Sequence, residues 1–135
     1  LIILVAALLT LFIAGGLKYY FKHIERPVKY FEGGAKLHLV KGVENHLYQS
    51  FPSGHTTTAF AALGPLAFIY RSKKLQVILV LLAIGVGYSR MYLSQHFLID
   101  VVAGSFLGTL IALFSYWAVN KYLINKKNKQ TLFKS

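Results

Sequence analysis

The chain has no cysteine and very few acidic residues. Without thiols it has neither disulfide bonds nor thiolate metal sites. Only 4 of its 135 residues are Asp or Glu, which is too few to build an acidic metal cluster. Charged residues make up 14% of the sequence, whereas ordinary soluble domains contain about 25%. Hydrophobic residues reach 56% and occur in long runs, so the sequence predicts a single-domain integral membrane protein.

Basic residues outnumber acidic ones and give the chain a formal net charge of +11. A charge of this size is also found in nucleic-acid-binding proteins. Here, however, the lysines and arginines cluster at the ends of the apolar runs, which fits membrane flanks and phosphate binding better. We therefore expect membrane lipids as partners and no nucleic acid. The oligomeric state is open.

The apolar runs predict an all-α fold, an integral membrane bundle with four transmembrane helices at residues 1–24, 53–70, 75–92 and 97–120. The polar connection at 28–52 is the longest loop and a natural lid, and a short amphipathic helix is expected around residues 40–48. Because the sequence starts inside an apolar run and without methionine, we expect earlier membrane segments to be missing.

The chain is expected to divide into a membrane core at 1–120 and a basic tail at 121–135, which should fray. Counting membrane crossings places this tail on the same side as the turn Arg71-Ser72-Lys73-Lys74. Both segments are basic and contain no acid, so the positive-inside rule predicts that this side is cytoplasmic. The 25–52 loop and the turn at 93–96 then lie together at the outer face.

The first polar constellation is Pro52-Ser53-Gly54-His55 at the start of a predicted helix. The free N–H groups of a first helical turn attract anions, and glycine lets an oxyanion approach the backbone. His55 beside them could protonate a leaving oxygen. Taken alone, the tetrapeptide is more simply interpreted as an ordinary helix cap followed by a surface histidine.

The second constellation places Arg90, His96 and Asp100 in a strongly apolar part of the chain. Charged groups at membrane depth are costly and usually face a cavity. Four residues separate His96 from Asp100, so the carboxylate could accept the imidazole Nδ1–H and leave Nε2 basic. Arg90 and Arg26 carry forked charges suited to phosphate. Each residue alone has a structural explanation, but together at one membrane face they suit phosphoryl transfer through a histidine nucleophile.

The order and spacing of these residues resemble the type 2 phosphatidic acid phosphatase family, membrane relatives of vanadium haloperoxidases and glucose-6-phosphatase. That family carries the motifs K-x6-R-P, P-S-G-H and S-R-x5-H-x3-D. The second motif is the tetrapeptide above, and the third is intact as Ser89, Arg90, His96 and Asp100. Arg26-Pro27 ends the first motif. Its lysine is either Lys18, one residue beyond the family spacing, or Lys22.

The resemblance implies a role for each of these residues. His96 would attack phosphorus and form a phosphohistidine, Asp100 would hold its tautomer, and His55 would protonate the leaving group and then activate water. The phosphate oxygens would be bound by the remaining residues, Lys18, Arg26, Ser53, Gly54 and Arg90. The resemblance also implies no metal or cofactor, and a six-helix fold of which this chain would be the last four helices.

These features together predict a phosphatase for a lipid phosphate or lipid pyrophosphate in a bacterial inner membrane, with its active site facing the periplasm or exterior. Undecaprenyl pyrophosphate, phosphatidylglycerol phosphate, phosphatidic acid and the 1-phosphate of lipid A are all open as substrates. The alternative is a non-enzymatic membrane protein that binds lipid phosphates or assists transport and keeps the anion pocket.

Overall fold

The computed structural model of the protein describes residues 1–34, 36–70 and 72–132, with side chains up to residue 127. Within these ranges the chain forms five helices and one isolated bridge between Glu25 and Tyr48. The helices are α1 (Ile2–Tyr20), α2 (Pro27–Tyr30), α3 (Gly54–Ile69), α4 (Lys73–Tyr92) and α5 (Leu98–Leu132). The predicted all-α membrane bundle is confirmed. Arg71 of the predicted basic turn lies outside the described residues, as do residues 133–135 of the tail.

Helix α3 is the central element of the bundle. It contacts α1, α4 and α5, whereas α1 and α4 do not contact each other within the described chain. Helices α1, α4 and α5 are long and apolar enough to cross a membrane, with mean hydropathies of 2.1, 1.6 and 2.0 over their most apolar windows. Helix α3 has 16 residues and is therefore about 24 Å long. Its neighbours cover it, which is why a shorter helix is tolerated there.

Glycines of α5 allow α3 and α5 to approach closely. A methyl group at Gly108 would lie 2.4 Å from the backbone oxygen of Thr57, and one at Gly104 would lie 2.8 Å from that of Ser53. These glycines are four apart, so both fall on the same face of α5. The contact therefore has the small-residue spacing expected for helix packing in membranes. It also fixes the start of α3 against the start of α5, where the polar motifs lie.

The helix expected around residues 40–48 is wrong, because this segment is irregular in the structure. Gly42 has a positive φ of 85°, which breaks a helix, and the Leu47 carbonyl accepts a hydrogen bond from the Arg26 N–H instead. The loop contains the four-residue α2 instead, with Pro27 at its first position.

The end expected for the last helix, at residue 120, is also wrong, since α5 continues to Leu132. The sequence that follows residue 120 contains neither proline nor glycine, and lysine and glutamine favour helix. Residue 120 therefore lies inside α5, and the tail is helical as far as Leu132.

Candidate active site

The turn between α4 and α5 positions His96. Ser94 adopts a left-handed conformation with φ of 54° just after the end of α4. The Gln95 N–H then donates to the Arg90 carbonyl at 2.9 Å, and the Ser94 N–H donates to the Met91 carbonyl at 2.9 Å. These two bonds form a Schellman motif, the usual device that ends a helix and reverses the chain. The two residues before His96 are thus hydrogen-bonded to the end of α4, and the His96 side chain lines a cavity.

Asp100 lies behind His96 in the first turn of α5. Its Oδ2 accepts hydrogen bonds from the Phe97 N–H at 2.9 Å and from the Ser50 hydroxyl at 2.5 Å. The first bond caps α5. Phe97 is the residue before the helix, and its free N–H is satisfied by the side chain of Asp100 at the third helical position. His96 Nδ1 lies 3.5 Å from the same Oδ2, and it makes no hydrogen bond with any described residue. The predicted pair is therefore adjacent, with its carboxylate already held by two other donors.

Burial lowers the pKa of His96 below its ordinary value, and the positive charges of Arg26 and Lys18 act in the same direction. The nearby Asp100 opposes this change, but the net direction is downward. His96 is therefore neutral at pH 7, which leaves one ring nitrogen with the lone pair that a nucleophile needs.

The second motif is tied directly to the third. The Ser53 N–H donates to the Asp100 carbonyl at 3.0 Å, and the Ser53 hydroxyl pairs with that of Thr56 at 2.9 Å. Ser53 is fully buried and does not line the cavity, so its side chain stabilises the start of α3 and does not face the cavity. Gly54 and His55 begin α3, and His55 is exposed to the cavity. First-turn N–H groups at this position have no partner inside their own helix.

Arg26 is buried and holds several parts of the site together. Its Nε donates to the Tyr48 carbonyl at 2.9 Å, and its Nη1 donates to the Gln95 side-chain oxygen at 2.8 Å. Longer contacts run from Nη1 to the Gln95 carbonyl at 3.4 Å and from Nη2 to the Gln49 carbonyl at 3.5 Å. A guanidinium has five N–H groups, so four are engaged and one has no partner among the described residues.

Arg90 differs from Arg26 in that only its Nε is engaged, with the Ser89 hydroxyl at 3.2 Å. Its four terminal N–H groups make no hydrogen bond with the described part of the chain. Both candidate lysines line the cavity. Lys18 reaches Gly54, since its Cε would lie 3.3 Å from a methyl group placed there, whereas the Lys22 ammonium lies 5.4 Å from the centre of the Tyr19 ring. Lys18 is therefore the lysine that approaches the first turn of α3.

The cavity encloses about 820 Å³ at one end of the bundle. Five of the eight predicted site residues line it: Lys18, Arg26, His55, Arg90 and His96. Sequence reasoning missed Ser50 and Gln95, which bind Asp100 and Arg26. It identified the 28–52 loop as a natural lid but did not name the further residues that line the cavity, His23, Val43, Glu44, His46, Leu47, Tyr48 and Gln49. For Gln95 a signal existed, because it is a polar residue next to His96 in an apolar stretch.

A family model for the PAP2 superfamily matches residues 1–124. The chain belongs to the PAP2 superfamily. This PAP2 chain is 41% identical over 81 residues to the bacitracin transport permease protein BcrC of Bacillus licheniformis, covering 60% of the chain and 39% of that protein. It is 38% identical over 93 residues to the probable lipid phosphate phosphatase 4 of Arabidopsis thaliana, covering 58% of the chain and 30% of that protein.

A solved structure is also similar to this PAP2 chain, the crystal structure of Aquifex aeolicus LpxE. The TM-score is 0.69 at 27% sequence identity, with 84% of this chain and 64% of that one covered. The chain thus spans less than two fifths of the length of the two curated relatives named above. The match over residues 1–124 includes all eight predicted site residues.

Proposed function

We propose that this PAP2 chain carries the active site of a metal-independent phosphatase that hydrolyses a lipid phosphate or lipid pyrophosphate. The convergence of the predicted histidines, arginines and lysine in one cavity carries this proposal, namely His55, His96, Arg26, Arg90 and Lys18. Two positive arginines and Lys18 would neutralise the phosphate, and His96 is neutral and backed by a carboxylate. The name of the Arabidopsis thaliana relative supports a lipid phosphate as the substrate.

The reaction has two steps. In the complex with the negatively charged phosphate, His55 carries a proton. His96 attacks phosphorus with a ring nitrogen, the bond from phosphorus to the leaving oxygen breaks, and the protonated His55 gives that oxygen its proton. His55 then removes a proton from water, whose oxygen attacks the phosphohistidine. The P–N bond breaks, so inorganic phosphate leaves and His96 returns to its starting state. Arg90 and Lys18, the one free N–H of Arg26 and the Gly54 backbone stabilise the equatorial oxygens, while Asp100 and Ser53 support His96 and α3 from behind.

Phosphate release from a panel of lipid phosphates in detergent tests this function. The protein, its His96→Ala variant and a His38→Ala control are compared without added metal. The His38 ring packs at a tilt against Tyr92 and does not line the cavity. Alanine at this position keeps the backbone carbonyl that accepts from Ser94, so the variant matches the chemical change outside the cavity. We expect His96→Ala to lower kcat by at least about a thousandfold, since no other group replaces the nucleophile, and His38→Ala to keep most of the activity. Equal release from all three proteins would refute the mechanism.

A transport-associated or purely binding role is the second candidate, and the name of the Bacillus licheniformis relative favours it. A binding protein would keep the anion cavity but release no phosphate. Orthovanadate, which mimics the transition state of phosphoryl transfer, should bind in both cases. Binding of vanadate without release from any substrate would therefore favour this second role.

The cavity is further proposed to open at the outer face of a bacterial inner membrane. The exposed lysines Lys73 and Lys74 lie at the other end of the bundle, as expected for the cytoplasmic side. Because the chain has no cysteine, a Lys41→Cys variant in the loop and a Lys73→Cys variant in the turn each provide a single thiol. In intact cells a membrane-impermeant maleimide should label only Lys41→Cys. Labelling of only Lys73→Cys would show the opposite orientation, with the cavity facing the cytoplasm.

A further inference from the structure

The side chain of Gln95 joins the turn between α4 and α5, which carries His96, to the loop that lines one side of the cavity. Its Nε2 donates to the Glu44 carbonyl at 3.1 Å and to the Asn45 side-chain oxygen at 2.9 Å, while its Oε1 accepts from Arg26. Both N–H groups and the oxygen are therefore used. A reversed amide would face the guanidinium with donors and the Glu44 carbonyl with an oxygen, so the three partners fix a single orientation.

Gln95 is well suited to hold Arg26 because it is neutral. An acceptor is needed at this place to orient the buried guanidinium, whose plane is otherwise set by backbone carbonyls alone. A carboxylate would also accept the hydrogen bond, but it would form an ion pair with Arg26 and cancel the positive charge that a phosphate requires. The amide orients Arg26 and leaves its charge for the ligand.

The loop segment at residues 43–49, which lines one side of the cavity, has its main attachments at these two residues. Gln95 holds it at Glu44 and Asn45, and Arg26 holds it at Tyr48 and Gln49. Many of its side chains are exposed, so apolar packing alone would secure it weakly. Gln95 contacts both the segment and Arg26, and its own backbone is fixed by the turn that carries His96.

We infer that Gln95 is a positioning residue of the active site, which orients Arg26 for phosphate and docks the segment at 43–49 over the cavity. This role rests on the proposed function for its effect on turnover. Its effects on anion binding and on the segment do not depend on turnover. Loss of the Gln95 amide should therefore weaken anion binding and release the segment, while the helical bundle stays folded.

A Gln95→Leu variant tests this role against a matched Gln76→Leu control. The Gln76 amide donates to the Ala67 and Tyr70 carbonyls at 3.0 and 2.8 Å, away from the cavity. Three measurements are made on each protein: orthovanadate affinity, amide hydrogen exchange of residues 43–49, and kcat and KM for a lipid phosphate.

For Gln95→Leu we expect vanadate affinity to fall about tenfold, which corresponds to ~1.4 kcal/mol. Exchange at residues 43–49 should be faster, and KM should rise by a larger factor than kcat falls. Gln76→Leu should change none of these. Equal vanadate affinity and equal exchange in the two variants would overturn the inference. If vanadate affinity and exchange respond as expected but no protein releases phosphate, the positioning role stands and the phosphatase function fails.

An Asn45→Ala variant keeps the test decisive if Gln95→Leu does not fold. It removes one acceptor of the Gln95 amide without changing any residue of the turn between α4 and α5. We expect faster exchange at residues 43–49 and a smaller loss of vanadate affinity than the tenfold loss above. Exchange unchanged from that of the unaltered protein would then overturn the inference.

Discussion

The two arginines of the cavity, Arg26 and Arg90, are held differently, so alanine at each position should affect stability differently. Arg26 is 7% exposed and makes two short hydrogen bonds, at 2.9 Å and 2.8 Å, besides two long ones. Removing a charged donor from a buried acceptor costs about 1.5–3 kcal/mol. Arg26→Ala should therefore lower the free energy of unfolding by about 3 kcal/mol, since the two short bonds dominate.

Arg90 makes one hydrogen bond to the described residues, at 3.2 Å, and it is half-buried. Arg90→Ala should lower the free energy of unfolding by less than about 1 kcal/mol. Both variants should lose vanadate affinity. The difference of roughly 2 kcal/mol between them corresponds to about a thirtyfold change in the unfolding equilibrium.

Reversible unfolding in mixed detergent micelles measures this difference, and Trp117, the single tryptophan, reports it by fluorescence. Comparing the two arginine variants in one assay cancels the loss of charge, which they share. An equal loss of stability in both would refute the view that Arg26 holds the loop while Arg90 is reserved for phosphate. So would an Arg26→Ala variant as stable as the unaltered protein.

Three further predictions follow from the contacts of the site and the bundle. Ser50→Ala removes the 2.5 Å hydrogen bond to the buried aspartate, and steady-state kinetics should show a fall in kcat of about tenfold with KM nearly unchanged. Lys18→Ala should weaken vanadate binding more than Lys22→Ala, because only the first lysine reaches the start of α3; the opposite order would assign the phosphate to Lys22. Gly108→Ala should destabilise the bundle by about 1–3 kcal/mol in the unfolding assay, because its methyl group would overlap a backbone oxygen of α3. Gly85→Ala is the control, since no described residue beyond its own neighbours in α4 lies within 4 Å of the added methyl group, and it should be neutral or slightly stabilising.

The sequence was sufficient to predict the helices of the bundle, because long apolar runs in a membrane protein leave few alternatives to helix. It also predicted which residues would lie near the cavity. Every second connection between membrane helices lies on the same side of the membrane, so the 25–52 loop and the turn at 93–96 were expected together. The last helix was predicted to end at residue 120, because the sequence becomes polar there and this change was interpreted as the end of the helix. Lysine-rich sequence without glycine or proline continues a helix beyond the membrane readily.

The partners of the motif residues could not be predicted, because they depend on the conformation of an irregular loop. Ser50 is 50 residues from Asp100, and Gln95 is 69 residues from Arg26. No periodicity links such pairs, and their hydrogen bonds form only after the loop has folded over the cavity. The sequence also predicted that the carboxylate of Asp100 could accept the Nδ1–H of His96. In the structure that carboxylate lies 3.5 Å from Nδ1 and accepts hydrogen bonds from the Phe97 N–H and the Ser50 hydroxyl instead.

The length of α5 has a consequence for how deep the cavity sits in the bilayer. Its 35 residues make it about 52 Å long, whereas the hydrocarbon core is about 30 Å thick. Because α5 starts at the cavity, the excess of roughly 20 Å extends from the opposite side, where Lys121, Lys126 and Lys127 lie. Lysines beside an anionic leaflet resist being drawn into the hydrocarbon. Under the proposed function, the helix would hold the cavity at the level of the lipid headgroups, where a lipid phosphate could be reached without its chains leaving the membrane.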